Sequence, residues 1–233
     1  MTWAPRRRGC PGRRGPVGGR ARAGPSLQSR FIDGPPHILF LCTGNLCRSP
    51  MAAALTRQRA DLAGLELAVS SAGFETEDRP PPPATLAVMA RRGIDLSGHR
   101  SRIVTPDELQ RADLVIGMTR SHVWDAALLQ PEVLPRAFVF GELVRLGTTV
   151  GSRRAGESLD CWVGALHDAR KRRATAIAPR DEVPDPYGRR QRVHEHVARV
   201  LERLVIDAGD YALDPALPEA NRRWREGKII WRP

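Results

Sequence analysis

At 233 residues, 41% hydrophobic and 27% charged, the chain has room for one packed α/β domain with tails, and no stretch reaches the roughly 18 consecutive apolar residues of a membrane helix. Its net charge of +11 is concentrated at one end: residues 1–30 hold eight arginines and no acid, leaving 29 basic and 26 acidic side chains, a net of +3, in the other 203 residues. That distribution argues against a nucleic-acid-binding body.

The Gly-, Pro- and Arg-rich start predicts a disordered tail over residues 1–35, because nothing in it can be buried to offset chain ordering. It lacks the apolar core of a secretion signal, so export is not expected. The four cysteines, Cys10, Cys42, Cys47 and Cys161, show no repeated spacing, and a chain of this size needs no disulfide framework; a reducing cytoplasm is the expected setting.

The first ordered element is "HILFLC" (37–42), an apolar run that stops at Thr43 and Gly44 as a strand buried on both faces would. A helix follows from Ser49 and Pro50 to Gly64, with proline at a helix start where its missing N–H costs nothing. "LELAVSS" (65–71) reads as a second strand and "ATLAVMARRG" (84–93) as a helix. Thr105 and Glu108 stand at capping-box spacing. "ADLVIGM" (112–118) is a third strand, "SHVWDAALLQ" (121–130) a helix, and "RAFVF" (136–140) a fourth strand. The pattern weakens between Gly147 and Val183, apart from a helical period over 157–172. A stronger amphipathic helix spans 189–209, with Val193, Val197, Val200, Leu201 and Leu204 as its inner stripe. Strands alternating with helices predict a three-layer α/β fold, a parallel sheet of four strands with helices on both faces. Residues 36–208 form the domain and 209–233 a C-terminal tail.

Chemistry concentrates at "CTGNLCRSP" (42–50). Ligands of open parallel sheets bind beyond the carboxyl ends of strands, where Cys42 falls. Free N–H groups and the positive end of a helix dipole favour an anion there and thiolate over thiol. Arg48 adds a planar fork of donors suited to a tetrahedral oxyanion. Zinc would need about four ligands, and no Cys or His pair stands at matching spacing. A dithiol oxidoreductase would show C-x-x-C, and a nucleotide P-loop its terminal Gly-Lys-Ser/Thr. Two buried cysteines flanking a turn is the plainer alternative, but strand, turn glycine and helix start all agree on an anion cradle around one thiol.

Cys42-x5-Arg48-Ser49 is the C-x5-R-[ST] signature of phosphatases that proceed through phosphocysteine. The string "ILFLCTGNLCRSPMA", followed in order by "SSAG" (70–73), "GIDLSGHRSR" (93–102), "ADLVIGM" (112–118) and "VPDPYG" (183–188), resembles the low-molecular-weight protein tyrosine phosphatase family over residues 36–207. The resemblance implies a flavodoxin-like sheet of order 2-1-3-4 and no metal or organic cofactor. It assigns Cys42 as nucleophile, and Arg48 with the backbone N–H groups of Thr43, Gly44, Asn45, Leu46 and Cys47 as the phosphate cradle. Ser49 would hydrogen-bond the thiolate, Asn45 would hold the strained turn with Ser71 as partner, and His99 would support the loop from behind. Asp185 would be general acid and then base, in preference to its neighbours Asp181 and Glu182. Tyr187 would wall the cleft, with Gly188 where the family often has a second tyrosine. Cys47 would trap an oxidised nucleophile as a reversible disulfide. The implied partner is a phosphotyrosine protein, the product of a bacterial tyrosine kinase system, met by a monomer in the cytoplasm.

Two alternatives stand beside this expectation. Arsenate reductases share the fold and loop; thioredoxin-coupled versions use a further cysteine pair, absent from residues 73–135, which leaves the small-thiol-coupled kind. The arginine-rich tail could instead serve nucleic-acid or partner binding, although only Trp3 and Phe31 offer stacking rings there.

Overall fold

The computed structural model describes residues 35–154, 157–173 and 177–212. Residues 1–34 of the tail expected over 1–35, and residues 213–233 of the C-terminal tail expected over 209–233, lie outside them. Four strands, β1 (His37–Leu41), β2 (Ala68–Ala72), β3 (Leu114–Gly117) and β4 (Ala137–Val139), form one sheet in the order β2-β1-β3-β4. Every pairing is parallel, with Ile38 opposite Val69 on one side and Leu114 on the other. The expected fold and strand order are the observed ones.

The continuous apolar runs arise because both sheet faces are covered. Ile38, Phe40, Leu114, Ile116 and Phe138 face one core, and Leu39, Leu41, Val115, Ala137 and Val139 face the other. Helices α1 (Arg48–Leu62), α2 (Pro83–Ala90), α5 (Phe140–Val150), α6 (Leu159–Arg173) and α7 (Gln191–Ala212) close the first core. The second is covered by α3 (Pro106–Arg111) and α4 (Arg120–Leu129). The capping box at α3 forms as its spacing predicts: Thr105 Oγ1 accepts from the Glu108 N–H and Glu108 Oε2 from the Thr105 N–H.

Three boundaries differ from the sequence reading. The second strand begins at Ala68, three residues after Leu65, because residues 65–67 precede its pairing with His37. Helix α7 runs past Gly209 to Ala212, and its buried stripe is His194, Val197, Ala198, Leu201 and Val205, with Val193, Val200 and Leu204 only half-buried. The fourth strand stops at Val139, and Phe140 opens α5, which the sequence left unassigned. Phe140 is buried like a strand residue, and the glycines and β-branched residues of "FGELVRLGTTV" weaken the helical signal. Position makes this helix: buried Glu142 accepts the Val139 N–H at 3.2 Å and pairs with Arg170 at 2.9 Å.

Helix α5 also supports the loop that carries Asp185. Its Gly141 lies so close to the 179–188 segment that a Cβ there would stand 2.6 Å from Asp181 Cα. Gly141→Ala should therefore cost about 1–3 kcal/mol in urea unfolding, and the loop carrying Asp185 should shift, read as a loss of turnover larger than the loss of folded protein.

Candidate active site

Strand β1 ends at Leu41, and Cys42 keeps its register through an N–H bond to Ala72 O. Residues 43–47 then turn back into α1, whose N-cap is Cys47 with no side-chain cap. Among the described residues, none of the N–H groups of residues 43–48 donates to a backbone carbonyl outside the regular elements. A helix start with uncapped donors is an anion site in waiting.

Asn45 makes the turn possible. Its φ of 50° is the left-handed region that few side chains tolerate. The side chain compensates: Nδ2 donates to Ser49 Oγ (2.9 Å) and Ser71 Oγ (3.0 Å), and Oδ1 accepts the Arg102 N–H. His99 Nε2 lies 2.8 Å from the Asn45 carbonyl. Ser71 and His99 both contact Asn45. Gly73 closes the contact from β2, since a Cβ there would lie 2.6 Å from Thr43 O and 2.8 Å from Asn45 N.

Cys42 Sγ is 3.0 Å from Ser49 Oγ. Because Ser49 already accepts from Asn45, its own proton is free for the sulfur or for Ala72 O at 3.3 Å. Arg48 is only 4% exposed; its Nη2 donates to Asp185 Oδ2 at 2.8 Å and to Thr43 Oγ1 at 3.3 Å, while Nε has no partner. Cys42, Arg48, Asp185 and Tyr187 share one pocket of about 140 Å³ with Thr43, Gly44, Leu46 and Cys47. Asn45 and Ser49 stand behind this lining, and Glu75, Thr76 and Arg79, which the sequence did not single out, form its other wall.

Asp181 and Glu182 are not rivals to Asp185 in space. Asp181 is buried against Arg145 (2.8 Å) and Glu182 is paired with Arg120 (3.0 Å). Together with the Val183 N–H bond to Met118 O (2.8 Å), they pin the loop that presents Asp185. Arg170, which opens the basic run "RKRR" (170–173), does not line the pocket: it is a strut lying 4.1 Å over the Phe138 ring.

The family model for low molecular weight phosphotyrosine protein phosphatase matches residues 37–144. The low molecular weight protein-tyrosine-phosphatase Etp of Escherichia coli (strain K12) is 32% identical over 167 residues, covering 71% of this chain and 87% of Etp. The chain belongs to this family. Relatives of this phosphatase also include a protein-arginine-phosphatase of Bacillus subtilis, 41% identical over 86 residues, covering 36% of this chain and 57% of the relative. A solved low molecular weight protein tyrosine phosphatase from T. tengcongensis superposes with a TM-score of 0.57 at 27% identity, covering 74% of this chain and 96% of its own. No described helix of the phosphatase is long and apolar enough to cross a membrane, and no described cluster of His, Cys, Asp and Glu could hold a metal ion.

Two buried side chains behind the phosphatase's loop escaped the sequence reading. His122 Nε2 lies 3.0 Å from Thr43 Oγ1, and Thr85 Oγ1 donates to Cys47 Sγ at 3.3 Å while lying 3.0 Å from His194 Nδ1. Both contacts join residues far apart in the chain, and no local spacing encodes them. Burial pushes the Cys47 thiol up to about 11, against the opposing pull of Thr85. Burial pushes His122 down to about 4, with Arg48 adding to the effect and Asp185 and Glu182 opposing it.

Cys47 is thus a neutral thiol at physiological pH, and iodoacetamide at pH 7 should leave it unmodified by peptide mass spectrometry. His122 titrates near 6.5 when unfolded and about 4 when folded, so its contribution to stability is complete above pH 6.5 and is lost as pH falls toward 4. Over that window the wild type should lose roughly 3 kcal/mol more than His122→Gln in denaturant titrations.

Proposed function

We propose that this phosphatase hydrolyses phosphotyrosine in proteins through a phosphocysteine on Cys42, with Asp185 as general acid and then base. The observation that carries the reading is Arg48: a guanidinium buried beside Cys42, its Nε unpartnered and its Nη2 on the Asp185 carboxylate. A buried donor without an acceptor is costly. A phosphoryl oxygen would satisfy it, together with the open N–H groups of residues 43–48.

In the first step the Cys42 sulfur attacks phosphorus and the P–O bond to the leaving oxygen breaks, that oxygen taking the proton of Asp185. In the second, Asp185 takes a proton from water, whose oxygen attacks phosphorus; the S–P bond breaks and phosphate leaves with Cys42 again a thiolate. Ser49 Oγ, 3.0 Å from the sulfur, stabilises that thiolate at both ends of the cycle. Arg48 and the loop donors face the equatorial oxygens, where charge is greatest in the transition state. Cys47, behind Cys42 in the same loop, would capture an oxidised nucleophile as a disulfide. No step calls on a metal ion or organic cofactor.

Tyrosine is the preferred substrate because Tyr187, half-exposed at the pocket mouth, can stack on an aromatic ring. Etp, matched over 87% of its length, is a named tyrosine phosphatase. The natural partner is a phosphotyrosine protein supplied by a tyrosine kinase, and the phosphatase meets it as a monomer.

With para-nitrophenyl phosphate and phosphotyrosine peptides as substrates, Cys42→Ser should be inactive. Asp185→Ala should lose about 10²- to 10⁴-fold in kcat, most severely with poor leaving groups. Phosphoarginine peptides should be turned over more slowly than phosphotyrosine peptides. Reduction of arsenate by an added thiol without ester hydrolysis would overturn the assignment, and an unaltered Asp185→Ala rate on phenyl phosphate would overturn the acid.

A further inference from the structure

The Thr43 side chain has no role in the reading above, which uses only its backbone N–H. Its hydroxyl nonetheless sits in a defined electrical environment. Arg48 Nη2 can only donate, and it does so to Thr43 Oγ1 at 3.3 Å. The other neighbour is His122 Nε2 at 3.0 Å, and the direction of that bond depends on the tautomer.

The structure fixes the tautomer. His122 Nδ1 lies 3.1 Å from the Thr119 backbone nitrogen, which can only donate, and 2.8 Å from Thr119 Oγ1. Nδ1 is therefore an acceptor, and the proton of the neutral ring is on Nε2. The ring is 3% exposed and lies parallel to Phe74 at 6.1 Å between centroids. Phe74 and Glu75 in turn donate their backbone N–H groups to Thr43 O, at 2.7 and 3.2 Å. Side chain and backbone of Thr43 are both held.

A hydroxyl has two acceptor positions and one proton. Arg48 and His122 fill both acceptor positions, and among the described residues no acceptor takes the proton. Thr43 lines the pocket beside Cys42, and its oxygen shares Arg48 Nη2 with Asp185 Oδ2. The free proton is thus placed where Arg48 would hold a phosphoryl oxygen.

We infer that the Thr43 hydroxyl is a further catalytic residue, a direct hydrogen-bond donor to the transferred phosphoryl group, and that His122 is the positioning residue that makes it a donor. The inference rests on the phosphocysteine reading of this pocket. The proton stays on Thr43 throughout; its contribution is electrostatic, one more preorganised donor at a phosphoryl oxygen in the transition state.

Steady-state kinetics on para-nitrophenyl phosphate tests this, with melting temperature followed in parallel. Thr43→Val, of the same shape, should lower kcat about 10- to 100-fold with KM little changed and the melting temperature lowered only by the orphaned His122 Nε2–H, and Thr43→Ser should recover most of both losses. His122→Phe keeps the ring on Phe74 and removes the Nε2 proton. It should lower kcat when Thr43 is present and have no further effect in the Thr43→Val background. His122→Gln, whose amide can donate to Thr43 and accept from Thr119, should recover part of the activity and serves alone where the phenylalanine variant does not fold. A wild-type kcat for Thr43→Val, losses that add in the double variant, or losses confined to KM and melting temperature would each overturn the inference while Cys42→Ser remains inactive. Turnover retained in Cys42→Ser would instead sink the phosphocysteine reading, and the inference with it.

Discussion

Asn45 uses both amide donors and its carbonyl oxygen to hold one residue in the left-handed region. That single constraint sets the rest of the site. With Asn45 fixed, the N–H groups of the loop before α1 find no backbone carbonyl outside the regular elements. The same amide orders Ser49, and through it the environment of the Cys42 sulfur. A buried polar network of this kind is stabilising only when fully satisfied. Here every member is satisfied except the donors that face the pocket.

The second half of the chemistry is positioned from a distance. Asp185 is 49% exposed along its side chain and belongs to a segment without regular structure. The order of that segment is imported from helix α5 through Asp181 and Gly141, from β3 through Met118, and from α4 through Arg120. A carboxylate proposed to give and take a proton needs water and room. Anchoring the loop two to four residues upstream keeps the reach of Asp185 short and sets its carboxylate on Arg48.

Legibility of the chain followed the range of the forces involved. Strands β1, β3 and β4 were readable because burial on both faces writes a continuous apolar run into a few adjacent residues. Helix α3 was readable because its cap is local, with Thr105 and Glu108 three positions apart. Helix α5 was not, because its start depends on Glu142 reaching Arg170 across the fold, and its sequence has weak helical propensity. At the site, Cys42 and Arg48 announced themselves by spacing and chemistry alone. Asp185, 143 residues beyond Cys42, was recoverable only by resemblance, since an Asp between prolines is more often a turn residue. His122 and Thr85 carried no local signal, for each gains meaning only from a contact made in three dimensions.

The ion pair between Arg48 and Asp185 means that the protein carries its own competitor for the phosphate cradle. A tethered carboxylate acts at an effective concentration set by its loop, millimolar or above, so weakly held monoanions meet a rival that never diffuses away. A phosphoryl dianion can displace it by engaging Nε and the loop N–H groups as well as Nη2. In the proposed mechanism the proton donor and the competitor for the cradle are one side chain.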